Sequence, residues 1–212
     1  MVGEKIDFDV GAHRQFLKRE QVANILSKLK DDYAKVRENA ARGLGAIDNP
    51  EAVPALVEAL KDDAKEVRFA ALRALADIGS KSAIDALISC LFDKNPEIRS
   101  ESARFLGLVR AERACPKMLE ALKDEDSVEV KEHMLEAIGR LRDENAISYL
   151  IPFLNDKESA IRWSATWAVG MIARETGSKK AVETLRKLER HADKRVAHEA
   201  ATALRMIAPM EV

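Results

Sequence analysis

A hydrophobic residue followed by a basic one recurs along this chain at nearly constant spacing. The copies are Val36-Arg37, Val67-Arg68, Ile98-Arg99, Val130-Lys131 and Ile161-Arg162. A sixth, degenerate copy begins at Val196-Ala197, with Arg195 one place early. The intervals are 31, 31, 32, 31 and 35 residues. A fixed period in this range marks a repeat architecture, in which each period is one supersecondary unit.

Other positions of the unit agree. Four residues after each signature stand Ala40, Ala71, Ser102, Met134, Ala165 and Ala200. Eight after stand Leu44, Leu75, Leu106, Ile138, Val169 and Leu204, and eleven after stand Ile47, Ile78, Val109, Leu141, Ile172 and Ile207. Apolar or small residues at offsets 0, 4, 8 and 11 form one stripe of a helix. Offset 9 holds Gly45, Ala76, Gly107, Gly139 and Gly170, then Arg205. A small residue there lets a neighbouring helix come close. A second apolar helix precedes each signature, as in residues 53–60 and 84–91. Acidic turns lie between the two: Asp31-Asp32, Asp62-Asp63, Asp93, Asp124 to Asp126, and Asp156. Short carboxylates suit such turns because they accept free backbone N–H groups. Asn49-Pro50 and Asn95-Pro96 read as an N-cap followed by the first helical residue. Gly79 and Gly177 read as helix terminators.

Each unit is therefore helix, turn, helix. Such a pair cannot bury its own apolar face, and stacked pairs share one continuous core. The expected fold is all-α: a right-handed α-solenoid, or superhelix, of six two-helix repeats. The repeats run about 21–49, 50–80, 81–111, 112–143, 144–178 and 179–212. Residues 1–20 fit no repeat and are expected to form an N-terminal cap, with Phe16 and Leu17 in a capping helix, or to be partly disordered.

Composition narrows the function. Ala is abundant, at 33 residues, against 9 Gly and 6 Pro, which favours helix. Lys plus Arg is 35 and Asp plus Glu is 36, a balance that argues against a protein living on nucleic acid. No apolar run reaches the roughly 18 residues a membrane span needs, and no signal-peptide pattern opens the sequence. Cys90 and Cys115 fall in apolar helical settings. They read as reduced core residues, which places the chain in the cytoplasm.

The unit Val-Arg-x-x-Ala-Ala-x-x-Leu-Gly-x-Ile is carried best by residues 36–47, 67–78 and 161–172. It resembles the short HEAT-like repeats of the phycobilisome-lyase type, over roughly residues 21–212. That family includes chromophore lyases, a metal-dependent hydroxylase and many interaction proteins. The resemblance implies that the second helix of each repeat lines a concave face, and that this face binds the partner.

Offsets 2, 3, 6 and 10 lie opposite the core stripe and are expected on that exposed face. Two features stand out there. Trp163 and Trp167 fall at i, i+4, and Met171 continues the row, giving an apolar ridge where the pattern predicts solvent. The alternative is burial against repeats four and six, or under the four-residue insertion near 173–178. Arg42, Arg73 and Arg104 share offset 6 in the first three repeats, with Phe69 beside them. They form either an orienting row for an acidic peptide or phosphate, or a solvated row paired with Glu38, Asp77 and Glu101. Leu108, His133, Glu136, Arg140 and His198 complete the candidate partner-binding set. The signature cations Arg37, Arg68, Arg99, Lys131 and Arg162 are expected to pair with inter-repeat carboxylates.

Enzymatic readings find little support in these residues. The hydroxylase of the family holds two irons with several His-Glu dipeptides, and here only His198-Glu199 matches. Glu132-His133 is reversed, and two repeats of separation put His133 about 20 Å from His198, too far to share an ion. His13 and His191 are expected to be solvated. Buried Cys90 and Cys115 do not suit a nucleophile, and no Gly-x-Ser-x-Gly or phosphate-loop motif is present. No catalytic residue, metal or cofactor is therefore expected. The sequence points first to a non-enzymatic scaffold for a protein or peptide partner. A subunit of a chromophore lyase or other modifying enzyme comes second, and nucleic-acid binding through the arginine row third.

Overall fold

The computed structural model describes residues 20–47 and 49–207. The expected cap, including Phe16, Leu17 and His13, lies outside the described residues. All regular structure among the described residues is helical. The chain divides into two compact units, Met1–Ile78 and Gly79–Val212.

In the first unit, a helix over residues 20–28 (α1) precedes α2 (Ala34–Ile47). A 3-10 turn, Pro50–Ala52, then leads into α3 (Val53–Ala59), followed by α4 (Lys65–Ile78). The second helices, α2 and α4, pack together, and α3 lies on α4. In the second unit the pairs are α5 (Lys81–Cys90) with α6 (Pro96–Leu108), and α7 (Cys115–Lys123) with α8 (Val128–Leu141). The short α9 (Ile147–Leu150), extended by a 3-10 stretch Ile151–Asn155, pairs with α10 (Ser159–Thr176). The last pair is α11 (Lys179–Leu188) and α12 (Lys194–Ile207). Here α6, α8, α10 and α12 pack each on the next.

The stripe at offsets 0, 4 and 8 is the core. Val67, Ala71, Leu75, Ile138, Ala165 and Val169 are fully buried. Each large aliphatic side chain so buried contributes about 2 kcal/mol. Offset 11 is less uniform. Leu141 and Ile172 are buried, but Val109 is 41% exposed. Helix α6 stops at Leu108, Val109 becomes the C-cap, and Arg110 adopts φ 51°, which turns the chain away from the core.

The small residues at offset 9 have the expected role. A Cβ on Gly107 would lie 2.8 Å from Ala137 Cα, one on Gly139 2.7 Å from Ala168 Cα, and one on Gly45 2.8 Å from Ala74 Cα. Ala137, Ala168 and Ala74 all stand at offset 7 of the following repeat. Gly170 meets Ala203 in the same way. Consecutive second helices are thus joined by a glycine against an alanine.

Capping follows the sequence closely. Asn49 and Asn95 accept from the N–H of Glu51 and Glu97, with Pro50 and Pro96 at the first helical position. Gly177, at φ 65°, ends α10, and its N–H reaches the carbonyl of Ala173. The insertion near 173–178 lengthens α10 to 18 residues. Arg142 ends α8 with φ 60°, a conformation that favours glycine and that the sequence did not announce.

Candidate functional site

The turns are stitched together by the signature arginines. Arg37 donates to the carbonyls of Asp31 and Asp32 in its own turn, at 2.8 and 3.1 Å, and grips Asp62 of the next turn with two nitrogens at 2.6 and 2.8 Å. Arg99 repeats the pattern with the carbonyls of Asp93 and Lys94 and both oxygens of Glu125, at 2.6 and 2.9 Å. Arg162 holds the carbonyls of Asp156 and Lys157, and reaches Asp193 at 2.5 and 3.1 Å. Arg68 bonds the carbonyls of Asp62 and Asp63. The receiving carboxylates also accept the amide two residues on, as in Asp62 with Ala64, Glu125 with Ser127 and Asp193 with Arg195. A planar guanidinium with several fixed donors is suited to span two turns in this way.

These contacts set the local electrostatics. The Arg37 guanidinium holds Asp62 below the usual carboxylate range. Arg162, with help from Ser159, holds Asp193 down to about 2. Burial pushes Glu125 up, but its bonds from Arg99 and the Ser127 amide outweigh this and leave it lowered. Lys131 forms no such bridge, because its point charge lacks the fork. His191 departs from the solvated expectation: it occupies the turn position that carries an acid elsewhere, and its Nδ1 accepts the Asp193 amide at 3.0 Å.

The opposite face, built by the second helices, is less exposed than offsets 2 and 3 suggested. Glu38, Ala70, Ser100 and Ser164 are buried; α4 lies on α2, α8 on α6 and α12 on α10, so a neighbouring second helix covers much of this face. Arg42, Arg73 and Arg104 remain exposed but are each paired. Arg42 meets Glu38 at 2.7 Å, Arg73 meets Asp77 at 3.7 Å, and Arg104 meets Glu101 at 2.5 Å. Their partners are the carboxylates expected for a solvated, self-compensated row. Glu38 is lowered by Lys35 and by Arg42. Phe69 is half-buried beneath Lys65, 5.3 Å from its ring. Leu108 is 51% exposed at the end of α6.

The tryptophans lie in the second unit, across α8, α10 and α12. Trp163, Trp167 and Met171 are half-buried rather than standing free as a ridge. The Trp167 ring lies 3.0 Å from where a Cβ on Gly139 would be, so only a glycine on α8 leaves room for it. Arg140 of α8 stacks over the same ring at 5.5 Å. On its other side, Trp167 and Met171 form one wall of a cleft whose second wall is Glu199, Thr202 and Met206 of α12. Met206 is 62% exposed, and Arg174 stands at one end. The same face carries His133, which shares a 2.5 Å hydrogen bond with Ser100, half-buried Glu136, and exposed His198. Met206 and Arg174 were absent from the candidate set. Met206 occupies offset 10 and was visible there, while Arg174 enters through the extra turn of α10.

Chemistry other than binding has few groups to work with. Burial pushes the Cys90 thiol up to about 11 and the Cys115 thiol up to about 12, so neither is a thiolate at neutral pH. Among the described residues, no three of His, Cys, Asp and Glu come together as ligands for a metal ion. No described helix is long and apolar enough to cross a membrane.

Comparison with known proteins agrees with the repeat geometry. The chain is similar to the CpcE and CpcF complex of phycocyanin lyase from Nostoc sp. PCC7120, at 25% identity, covering 88% of this chain and 76% of that one, with a TM-score of 0.59. It is similar to an engineered protein at 25% identity, covering 88% of this chain and 96% of that one, with a TM-score of 0.54. A designed armadillo repeat protein in complex with the peptide (KR)4 shares the fold, at 24% identity and a TM-score of 0.54, covering 89% of this chain and all of that one. No curated protein sequence matches the chain. The family model for HEAT repeats matches residues 22–91, 65–133 and 117–205. With all-α solenoid proteins as its structural neighbours and that model spanning nearly its whole length, the chain belongs to the HEAT-repeat family.

Proposed function

We propose that the protein is a non-enzymatic scaffold that binds a protein or peptide partner on the face of its second helices, the concave face of the repeat. The observation that carries this reading is the cleft between α10 and α12. A half-buried Trp167 and Met171 and an exposed Met206 gather apolar surface open to solvent in one cleft. Trp and Met are suited to such contacts, because each offers a large apolar area that adapts to a partner. Trp163, Trp167 and Met171 act as the anchors. Arg140, held flat on Trp167, together with His133, Glu136 and His198, supplies the polar rim. Arg42, Arg73 and Arg104, with Phe69 and Leu108 beside them, orient a partner only where its carboxylates replace the ones these arginines already hold.

The test is affinity capture with wild type and with Trp163→Ala/Trp167→Ala, after circular dichroism has shown both to be folded. A partner held by wild type and weakened by about 30-fold or more in the variant supports the reading, the loss expected of aromatic anchors. Equal capture by both proteins sinks it. A second reading, a subunit of a chromophore lyase, is favoured by the similarity to the CpcE and CpcF complex. Its test is absorbance: a bilin titrated into the protein shifts its visible band only if the cleft takes it up.

A further inference from the structure

The last repeat carries an excess of cations that no repeat before it matches. Residues 179–207 hold eight Lys and Arg against four Asp and Glu, whereas residues 112–141 hold five against eight. All eight are exposed: Lys179, Lys180, Arg186, Lys187 and Arg190 on or just after α11, and Lys194, Arg195 and Arg205 on α12. Among the described residues none of the eight makes an ion pair with a carboxylate, whereas exposed Arg42, Arg73, Arg104 and Arg113 do. Asp193, the acid next to Lys194, is engaged by Arg162. Glu183 and Glu189 are exposed and leave the stretch strongly positive.

We infer that the outer face of α11 and the turn after it form a docking surface for the phosphate backbone of a polynucleotide. The cations from Lys179 to Arg190 run about 16 Å along the helix, a length over which one strand of a duplex presents about five phosphates. The face carries no apolar anchor. Of the apolar residues of α11, Ala181, Leu185 and Leu188 are buried and Val182 is half-buried, and the helix packs on α10 and α12. A protein interface is built around an apolar centre, and stable attachment to a bilayer takes an inserted group besides charge. Repeated phosphates need neither. This surface is distinct from the arginine row of the first three repeats, whose guanidiniums are matched by carboxylates.

The probe is a fluorescent 30-base-pair duplex titrated by anisotropy at low salt and again at about fourfold higher salt. With about four phosphates neutralised, log K falls with log salt with a slope of about −3.6. Arg186→Glu/Lys187→Glu/Arg190→Glu abolishes binding. Arg186→Gln/Lys187→Gln/Arg190→Gln, which keeps the helix if the first variant unfolds, weakens it at least tenfold. Lys61→Gln/Lys117→Gln removes two exposed, ion-paired cations and leaves it unchanged. Absence of duplex binding at low salt overturns the inference, as does binding that the neutral triple variant leaves intact. Equal or tighter binding of polyglutamate, or of phosphatidylserine vesicles, overturns it too, since the partner would then be an acidic protein or a membrane.

Discussion

The joints between consecutive second helices and the open face of α8, α10 and α12 are made from the same helices, yet they follow opposite rules. At the joints the same devices recur. A glycine of one second helix meets an alanine of the next, and Arg37, Arg99 and Arg162 each tie two turns together. On the open face no two repeats agree: His133 and Glu136, then Trp163, Trp167 and Met171, then His198, Thr202 and Met206. Contacts that recur hold the stack together, and residues that do not recur are free to be chosen for a partner.

The largest effect is expected at a joint. Gly139→Leu places a side chain 2.7 Å from Ala168 Cα and against the Trp167 ring, where backbone cannot yield. It should cost about 3 kcal/mol or more and lower the melting temperature sharply. A variant that melts like wild type would show that the helices are not held at this distance. Next comes a clasp. Arg99→Ala leaves Glu125, whose side chain is 4% exposed, without its cation. We expect a loss of about 2–3 kcal/mol by urea unfolding, reduced from a fully buried pair because Arg99 itself reaches solvent.

Acid should open the clasps together. Asp62, Glu125 and Asp193 all bind protons more weakly when folded than a free carboxylate does. Their contribution is complete above the unfolded carboxylate range near pH 4, and it is lost as pH falls through the folded values, for Asp193 down to about 2. Melting temperature should therefore be flat from neutral pH to about 5 and fall below that. In Arg99→Ala the fall should be shallower, because Glu125 has lost its main reason to stay ionised.

How much of this was legible beforehand follows the same division. The period, the core stripe, the glycine joints and the Asn-Pro caps repeat, so a single sequence supplies its own alignment and their roles can be read from it. The pairing of Arg42, Arg73 and Arg104 with Glu38, Asp77 and Glu101 could be read from helical spacing, three or four residues apart. What failed was the reading of offsets 2 and 3 as exposed. A helical wheel knows only its own helix, and Glu38, Ala70, Ser100 and Ser164 are covered by a neighbour. Met206 stood at an exposed offset, but that it closes a cleft with Trp167, and that Arg174 joins it, depends on how α10 and α12 sit side by side, which no local pattern records. His191 was misread because it stands where an acid was expected, and an imidazole nitrogen can accept an amide just as a carboxylate does.

A smaller effect, of opposite sign, should come from repairing a joint that lacks its fork. Lys131 occupies the signature position but makes no bridge. Lys131→Arg can reach the carbonyls of residues 125 and 126 in its own turn and the Asp156 carboxylate in the next, by analogy with Arg99 and Arg162. We expect a gain of about 1 kcal/mol, measured as a higher urea midpoint with an unchanged slope. No gain would mean that the turn of residues 124–127 holds the carbonyls out of reach.

The smallest effect separates joint glycines from ordinary ones. Gly43 lies inside α2, two residues before the joint glycine Gly45. A Cβ there would meet only Ile25 side-chain carbons, at 3.7 Å, an ordinary contact. Gly43 has nothing to make room for, and a glycine inside a helix carries a cost in backbone freedom. Gly43→Ala should therefore stabilise the protein by about 0.5–1 kcal/mol, seen as a small rise in melting temperature. Gly45→Ala, two residues away, should do the reverse, because its Cβ would lie 2.8 Å from Ala74 Cα. If both substitutions shift stability the same way, close approach of the helices is not what places glycine at offset 9, and the division between joint and surface fails at its simplest position.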